Sequence, residues 1–409
     1  MSLTTTRGVA LYVGALLGPG LLVFPGLAAA QAGPASIVAW AGLLVLSGLV
    51  AVVFSALGVR QPSAGGVAEY ARLGLGERVG ATVGWCFLAG IVTGAPVICH
   101  LGAAYLAGLL GGGRGWAAGA AAVLLLLVLA VTARGVRASA GMQLVLVALL
   151  VAVVLVAVVG ALPAVDVRHF TPFAPYGWPA IGSAATVLMV SFVGWEAIAP
   201  LIGHFADPGR QLPRVIGVAF AVTAVIYLAL AAVTVAALGE RSATEVPMAA
   251  LLALSLGAAG PVLAAVSAVP LTLGTTNAYL AGGAALARTL SPRRAGWLPG
   301  TIALAGVVIL ALIGTGLLPV AAAVTVPSSF FLVVYLGCMV SAWRVLRGPA
   351  RSAAAVAAVA VVAVLAFAGP ALIPVAGVVA GCLARRPSAV LPPQADRDKD
   401  GAGHVRARS

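Results

Sequence analysis

The chain holds a single lysine, Lys399, among its 409 residues. A phosphate-binding GxxxxGK loop and a lysine Schiff base both need that side chain elsewhere, so neither ATP-driven pumping by this chain nor pyridoxal chemistry is expected. Charge of any kind is scarce: Asp, Glu, Lys and Arg make up 8% of residues, and ten residues are acidic. Cysteine is as sparse, with Cys86, Cys99, Cys338 and Cys382 all inside apolar segments. No pair has CxxC or Cys/His ligand spacing, so no metal or redox site is expected and the four read as small packing residues. There is no HExxH motif, and His100 is the one histidine deep within an apolar run. An intramembrane enzyme would need a nucleophile–base pair or a metal cluster, and the sequence offers neither.

What fills the chain instead is apolar. Hydrophobic residues make up 62% of it, and the mean hydropathy is +1.14. A soluble domain of this length would need far more polar surface. Apolar runs fall at about 8–31, 34–58, 79–110, 116–133, 138–162, 178–203, 214–238, 249–287, 299–316, 319–346, 352–368 and 370–384. Each is on the order of the 20 residues that cross a ~30 Å hydrocarbon core, and the third and eighth are longer, as tilted or protruding helices would be. The expected fold class is an all-α integral membrane protein of about twelve transmembrane helices. Arg7 precedes a run that continues past any small-residue cleavage site, so the first run is expected to be a span rather than a removed leader.

The net charge of +13 does not point to nucleic acid, because the basic residues sit singly between apolar runs with no stripe and no interleaved aromatics. Their placement answers to the positive-inside rule. With twelve spans and a cytoplasmic N-terminus, only Arg114, Arg168 and Arg241 of the 23 Lys and Arg fall outside. A shift of one span would destroy that asymmetry, so both termini are expected to be cytoplasmic, in a multi-pass bacterial inner membrane protein. Residues 1–384 then form one transmembrane domain. Residues 385–409, polar and mixed in charge, are expected to be a disordered cytoplasmic tail.

Chemistry at membrane depth is confined to a few positions. The run GPGLLVFPG, Gly18 to Gly26, interrupts the first span. Pro19 removes a backbone donor and clashes with the preceding turn, and the flanking glycines permit unusual dihedrals. A simple kink is one outcome. The other is an open break, tolerated at membrane depth only where it is buried or lines a wet cavity, with free amides on one side and free carbonyls on the other. The sixth span repeats the pattern more weakly at Ser191-Phe192-Val193-Gly194, just before Trp195 and Glu196. Discontinuities at matching positions of two repeats are the mark of an inverted-repeat transporter site. Glu196 is the one carboxylate in mid-span, costly unless neutralised or solvated, and reads either as a protonated helix–helix contact or as a proton-sensitive group beside a substrate path. Thr275, Thr276 and Asn277 in the eighth run read as interhelical hydrogen-bonders or as cation or substrate contacts. His100 reads equally as a buried, satisfied histidine or as a functional one.

At these residues the sequence resembles the amino acid–polyamine–organocation (APC) superfamily. GPGLLVFPG is similar to that family's first-span break, PSAGGVAEYARLGLG (Pro62 to Gly76) to its cytoplasmic segment, and FVGWEAIAP with FADPGRQLPRVI (Phe192 to Ile216) to its sixth span and following loop. The three motifs occur in order across about residues 8–345. The GLL-x-FP and FVGWE wording is closest to bacterial methionine and branched-chain amino acid exporters. The resemblance implies a five-plus-five inverted-repeat (LeuT-like) fold with broken helices 1 and 6. Repeat one would span about 8–162, repeat two about 178–346, and two extra helices about 352–384. It places the substrate carboxylate on amides near Gly18, Gly20 and Leu21 and the ammonium on carbonyls near Phe192 and Val193, with Pro19 and Gly194 also in the substrate-binding segments. Glu196 and Trp195 fall at gating or proton-sensing positions. Pro19 departs from the usual Ser or Thr, which removes a hydroxyl and an amide. Some relatives carry a fifth-span lysine where this chain offers Leu150, so lysine-based proton coupling is not expected.

The function expected is secondary active transport of small neutral, hydrophobic amino acids such as leucine, isoleucine, valine and methionine, by export or exchange. Phe192, Val190, Val97 and Ile98 are candidate apolar neighbours of the side chain. Two alternatives stand beside it: a cationic amino acid or polyamine exchanger, and a non-transporting amino acid sensor of the same fold. No organic cofactor is expected; coupling to H+ or Na+, direction, and assembly as monomer or homodimer stay open.

Overall fold

The computed structural model describes residues 5–60, 66–135, 140–195, 207–291 and 296–384. Among them every regular element is helical: α1 (Thr5–Leu16), α2 (Phe24–Ala32), α3 (Ser36–Arg60), α4 (Gly66–Leu75), α5 (Glu77–Leu110), α6 (Arg114–Ala133), α7 (Ala140–Ala161), α8 (Ala180–Leu188), α9 (Pro208–Leu238), α10 (Pro247–Leu256), α11 (Ala259–Leu290), α12 (Trp297–Gly314), α13 (Val320–Val345), α14 (Pro349–Leu365) and α15 (Leu372–Ala384). Runs of Ala, Leu and Val between Gly/Pro boundaries give this result because lipid offers no partner to a free backbone group, so each segment must satisfy its own. Glu196 and the whole tail after Ala384 lie outside the described residues.

Eight helical segments are long and apolar enough to cross a bilayer, and a ninth is gained if the bent pair α14–α15 counts as one. The expected first and sixth spans are each interrupted, which leaves α1 with 12 residues and α8 with 9, and the described part of the sixth ends at Trp195. The two long runs differ, and only the eighth departs from the expectation of one long helix. The third is a single unbroken helix of 34 residues, α5, roughly 51 Å long. The eighth is two helices, because Gly257 at φ 56° turns the chain between α10 and α11, which pack on each other. At the C-terminal end, α14 and α15 meet at 115° across a break at Gly369–Ala371. With 13 residues, α15 reaches only ~20 Å, less than a perpendicular crossing requires.

The molecule is organised around α5, which packs against α4, α6, α11, α12 and α13. Small residues set the approach: a side chain at Gly102 would run into Thr272, one at Gly283 into Ile91, and one at Gly306 into Leu125. In a bilayer, where water does not drive helices together, such close backbone contact supplies the packing energy. The outward faces are apolar, with Val45, Val123, Val145, Val225, Leu304 and Val307 all exposed, the surface a lipid-embedded bundle needs. Cys86, Cys99 and Cys338 are buried and unbridged, and Cys382 is half-buried.

Candidate functional site

The first break forms as the local sequence dictates. The last helical bond of α1 runs from the Leu17 amide to Val13 O at 2.8 Å. Gly18 then turns extended, at φ −90° and ψ 171°, because Pro19 cannot donate to the turn behind it. Pro19–Leu22 close a tight turn through Leu21 N–H to Gly18 O, 3.1 Å, and Val23 N–H to Gly20 O, 2.9 Å. Helix α2 starts afresh at Phe24 with Pro25 in its first turn. Leu21, Leu22 and Val23 are each 1% exposed, so this irregular backbone is enclosed in protein.

The second break mirrors it. Helix α8 tightens into the turn Met189–Phe192, then Val193 is extended at φ −78° and ψ 130°. Gly194 follows at φ 152°, a conformation open to glycine and strained for residues with a side chain. Phe192, Val193 and Trp195 are each 2% exposed. The two tight turns lie beside each other, so the residues expected to form one site come together. Trp195 is anchored by its indole N–H to Ser47 Oγ on α3, 2.8 Å, and its ring lies 5.8 Å from that of Tyr12.

Four tyrosine hydroxyls serve the carbonyls these breaks expose. Tyr227 on α9 lies within hydrogen-bond reach of both Leu16 O (2.7 Å) and Ser191 O (2.8 Å), so one hydroxyl ties the end of α1 to the end of the α8 turn. Tyr335 on α13 donates to Phe192 O at 3.3 Å, and Tyr279 on α11 to Val193 O at 3.4 Å. Tyr105 on α5 donates to Leu22 O and accepts from the Met248 amide at the start of α10, 3.4 Å. The carbonyls expected to receive an ammonium are thus occupied by donors of a kind an ammonium could replace. Sequence reasoning missed all four tyrosines; the only signal was an isolated Tyr within an apolar run.

The space beside the first break is small. A cavity of about 10 Å³, room for about one water, is bounded by Gly20, Val23, Ile98, Leu101, Tyr105 and Thr272. Thr272 Oγ1, and Ser191 Oγ at the second break, are buried with no hydrogen-bond partner among the described residues. A side chain at Gly18 would reach the Thr275 methyl at 4.0 Å, so Thr275 flanks the first break. Thr276 is fully buried. Asn277 faces elsewhere, accepting from Thr132 Oγ1 on α6 at 2.9 Å. Val97 is buried and Ile98 reaches the cavity, whereas Phe192 packs between Trp40 and Tyr227. His100 is buried, and its Nδ1 has no partner among the described residues. Among the described residues no group of three or more His, Cys, Asp or Glu could hold a metal ion.

Residues 3–386 match the family model described as Amino acid permease. The chain is 32% identical over 282 residues to the uncharacterized amino acid permease YecA of Bacillus subtilis (strain 168), covering 69% of this chain and 66% of that one. It is 34% identical over 225 residues to the L-methionine/branched-chain amino acid exporter YjeH of Escherichia coli (strain K12), covering 54% of this chain and 53% of that one. Cationic amino acid transporter 9, chloroplastic, of Arabidopsis thaliana is 30% identical over 226 residues, covering 50% of this chain and 40% of its own length. The chain therefore spans about two fifths to two thirds of these relatives. The family and these relatives are transporters, not enzymes. With the family match running over nearly its whole length, the chain belongs to the amino acid permease family.

Proposed function

We propose that the chain is a secondary transporter of small neutral, hydrophobic amino acids, exporting or exchanging them by alternating access. It would do so on a five-plus-five inverted repeat of about twelve spans, with both termini cytoplasmic. The observation that carries this reading is the pair of adjoining breaks, Gly18–Val23 and Met189–Gly194, both enclosed in protein. Amides at the first break suit a carboxylate and carbonyls at the second suit an ammonium, the two groups every free amino acid carries. Ile98 and Leu101 at the cavity beside the first break favour an apolar side chain. One of the relatives bears the name of a methionine and branched-chain exporter, which agrees with that preference.

A cavity of about 10 Å³ cannot hold an amino acid, so loading requires the half-helices and their tyrosines to move. The bound ammonium would take the place of the Tyr335 and Tyr279 hydroxyls on Phe192 O and Val193 O. Exchange of one donor for another keeps buried carbonyls satisfied throughout, which lowers the cost of cycling between loaded and empty forms.

The test is flux in proteoliposomes. Labelled leucine and methionine should be carried with saturable kinetics, tested with and without a pH gradient. Competition by arginine or putrescine but not leucine would favour a cationic exchanger instead; binding without flux would favour a sensor.

A further inference from the structure

We propose that the large cavity at the end of the bundle opposite α4 is a second binding site for a free α-amino acid, separate from the helix breaks, with Arg114 receiving its carboxylate and Glu245 its ammonium. This rests on the reading of the chain as an amino acid transporter and adds a holding site at one mouth of the pathway.

The cavity measures about 490 Å³ against about 10 Å³ beside the break, inside the roughly 300–1,000 Å³ range of small-molecule sites. The two lie on different sides of α5. At about 100° per residue, Ile98, Leu101, Gly102 and Tyr105 share the side facing the first break, while His100, Ala104, Ala107 and Gly108 share the side facing the large cavity.

Three features give the cavity its chemistry. The first is charge. Arg114 and Glu245 both line it, and neither makes an ion pair within 4.0 Å or a side-chain hydrogen bond among the described residues. Arg114 lies across Gly316, where an added side chain would sit 3.5 Å from its Nη1. The Arg114 charge acts on Glu245 without a direct ion pair between them, and a cation and an anion held apart on one cavity match a zwitterion, whereas a ligand of one sign would leave the other charge opposed. The second is backbone. The first turns of α6 at Arg114, α10 at Val246–Pro247 and α13 at Pro319–Val320 all border the cavity, so three helix N-termini bias it toward a carboxylate. The third is His100, 1% exposed, whose ring borders the cavity while its enclosed Nδ1 has no partner among the described residues. A buried ring nitrogen without a partner has hydrogen-bonding capacity to spare, which a small turn of the ring would bring to the cavity. Ile313, Leu318 and Val320 supply an apolar wall for a side chain.

Equilibrium binding of radiolabelled L-methionine to the purified full chain in nanodiscs tests this. The wild type should bind close to two equivalents. Arg114→Gln and Glu245→Gln should each weaken one of them at least tenfold and leave the other intact, and Gly20→Val should retain the equivalent that Arg114→Gln removes. 4-(Methylthio)butanoate and 3-(methylthio)propylamine, each missing one charged end, should fail to compete at that equivalent. One equivalent in the wild type, unchanged by Arg114→Gln and Glu245→Gln, overturns the second site; if proteoliposomes still carry methionine, transport through the breaks stands. Neither binding nor flux overturns both.

Discussion

Tyr227 joins the two breaks through one hydroxyl shared between Leu16 O and Ser191 O. Tyr227→Phe keeps the ring, which packs on Trp40 and Phe192, and takes the hydroxyl donor from Ser191 O while Leu16 O keeps the Gly18 amide at 3.1 Å. The expected cost is about 1–3 kcal/mol, read as a lower melting temperature of the purified protein; an unchanged melt would mean the tie contributes nothing. Gly194→Ala meets a different obstacle. Its φ of 152° is open to glycine alone, so alanine should cost on the order of 1–3 kcal/mol and reduce the yield of folded protein, while Gly42→Ala, where a side chain has open space, should not. The breaks themselves were legible in the sequence because Gly-Pro-Gly cannot continue a helix. The tyrosines were not, because Tyr227 reaches carbonyls 211 and 36 residues away and only the tertiary fold brings them into range.

Helix α4 is held to α13 largely by backbone-directed bonds. Ser341 Oγ donates to Tyr70 O at 2.6 Å and accepts from the Gly74 amide at 2.9 Å, and Arg344 reaches Gly74 O at 3.3 Å. The Tyr70 ring stacks on Phe54, which in turn meets Tyr335, the donor to Phe192 O. A continuous line of contacts therefore runs from α4 to the second break. Ser341→Ala removes both bonds of the hydroxyl, and the expected result is faster hydrogen exchange across Gly66–Leu75 with the core of α5 unaffected. Exchange unchanged in α4 would show that packing alone holds it. The sequence marked this segment through its family wording but not its docking, since Ser341 is one hydroxyl in an apolar run. Nor did hydropathy reveal the turn at Gly257, because α10 and α11 are both apolar and the window reads them as one.

For the whole molecule, hydropathy and charge placement were enough to recognise a membrane bundle, and the family match agrees. Charge placement also argues for α4 on the cytoplasmic side, with Arg60, Arg72, Arg78 and Arg344 near it. Coupling was less legible, since it depends on how few ionisable groups sit at membrane depth. If Glu196 senses protons, Glu196→Gln should flatten the pH dependence of transport while leaving the protein folded; an unaltered pH profile returns Glu196 to a packing role. The central claim is that two broken helices hold an amino acid by its charged ends. Its most direct measurement is a density map of the full chain with bound L-methionine. The account predicts the carboxylate at the amides of Gly20 and Leu21, the latter released from Gly18 O, and the ammonium at Phe192 O and Val193 O, with the Tyr335 and Tyr279 hydroxyls moved off those carbonyls. Methionine bound elsewhere, with both tyrosine bonds intact and the breaks unchanged, would contradict it.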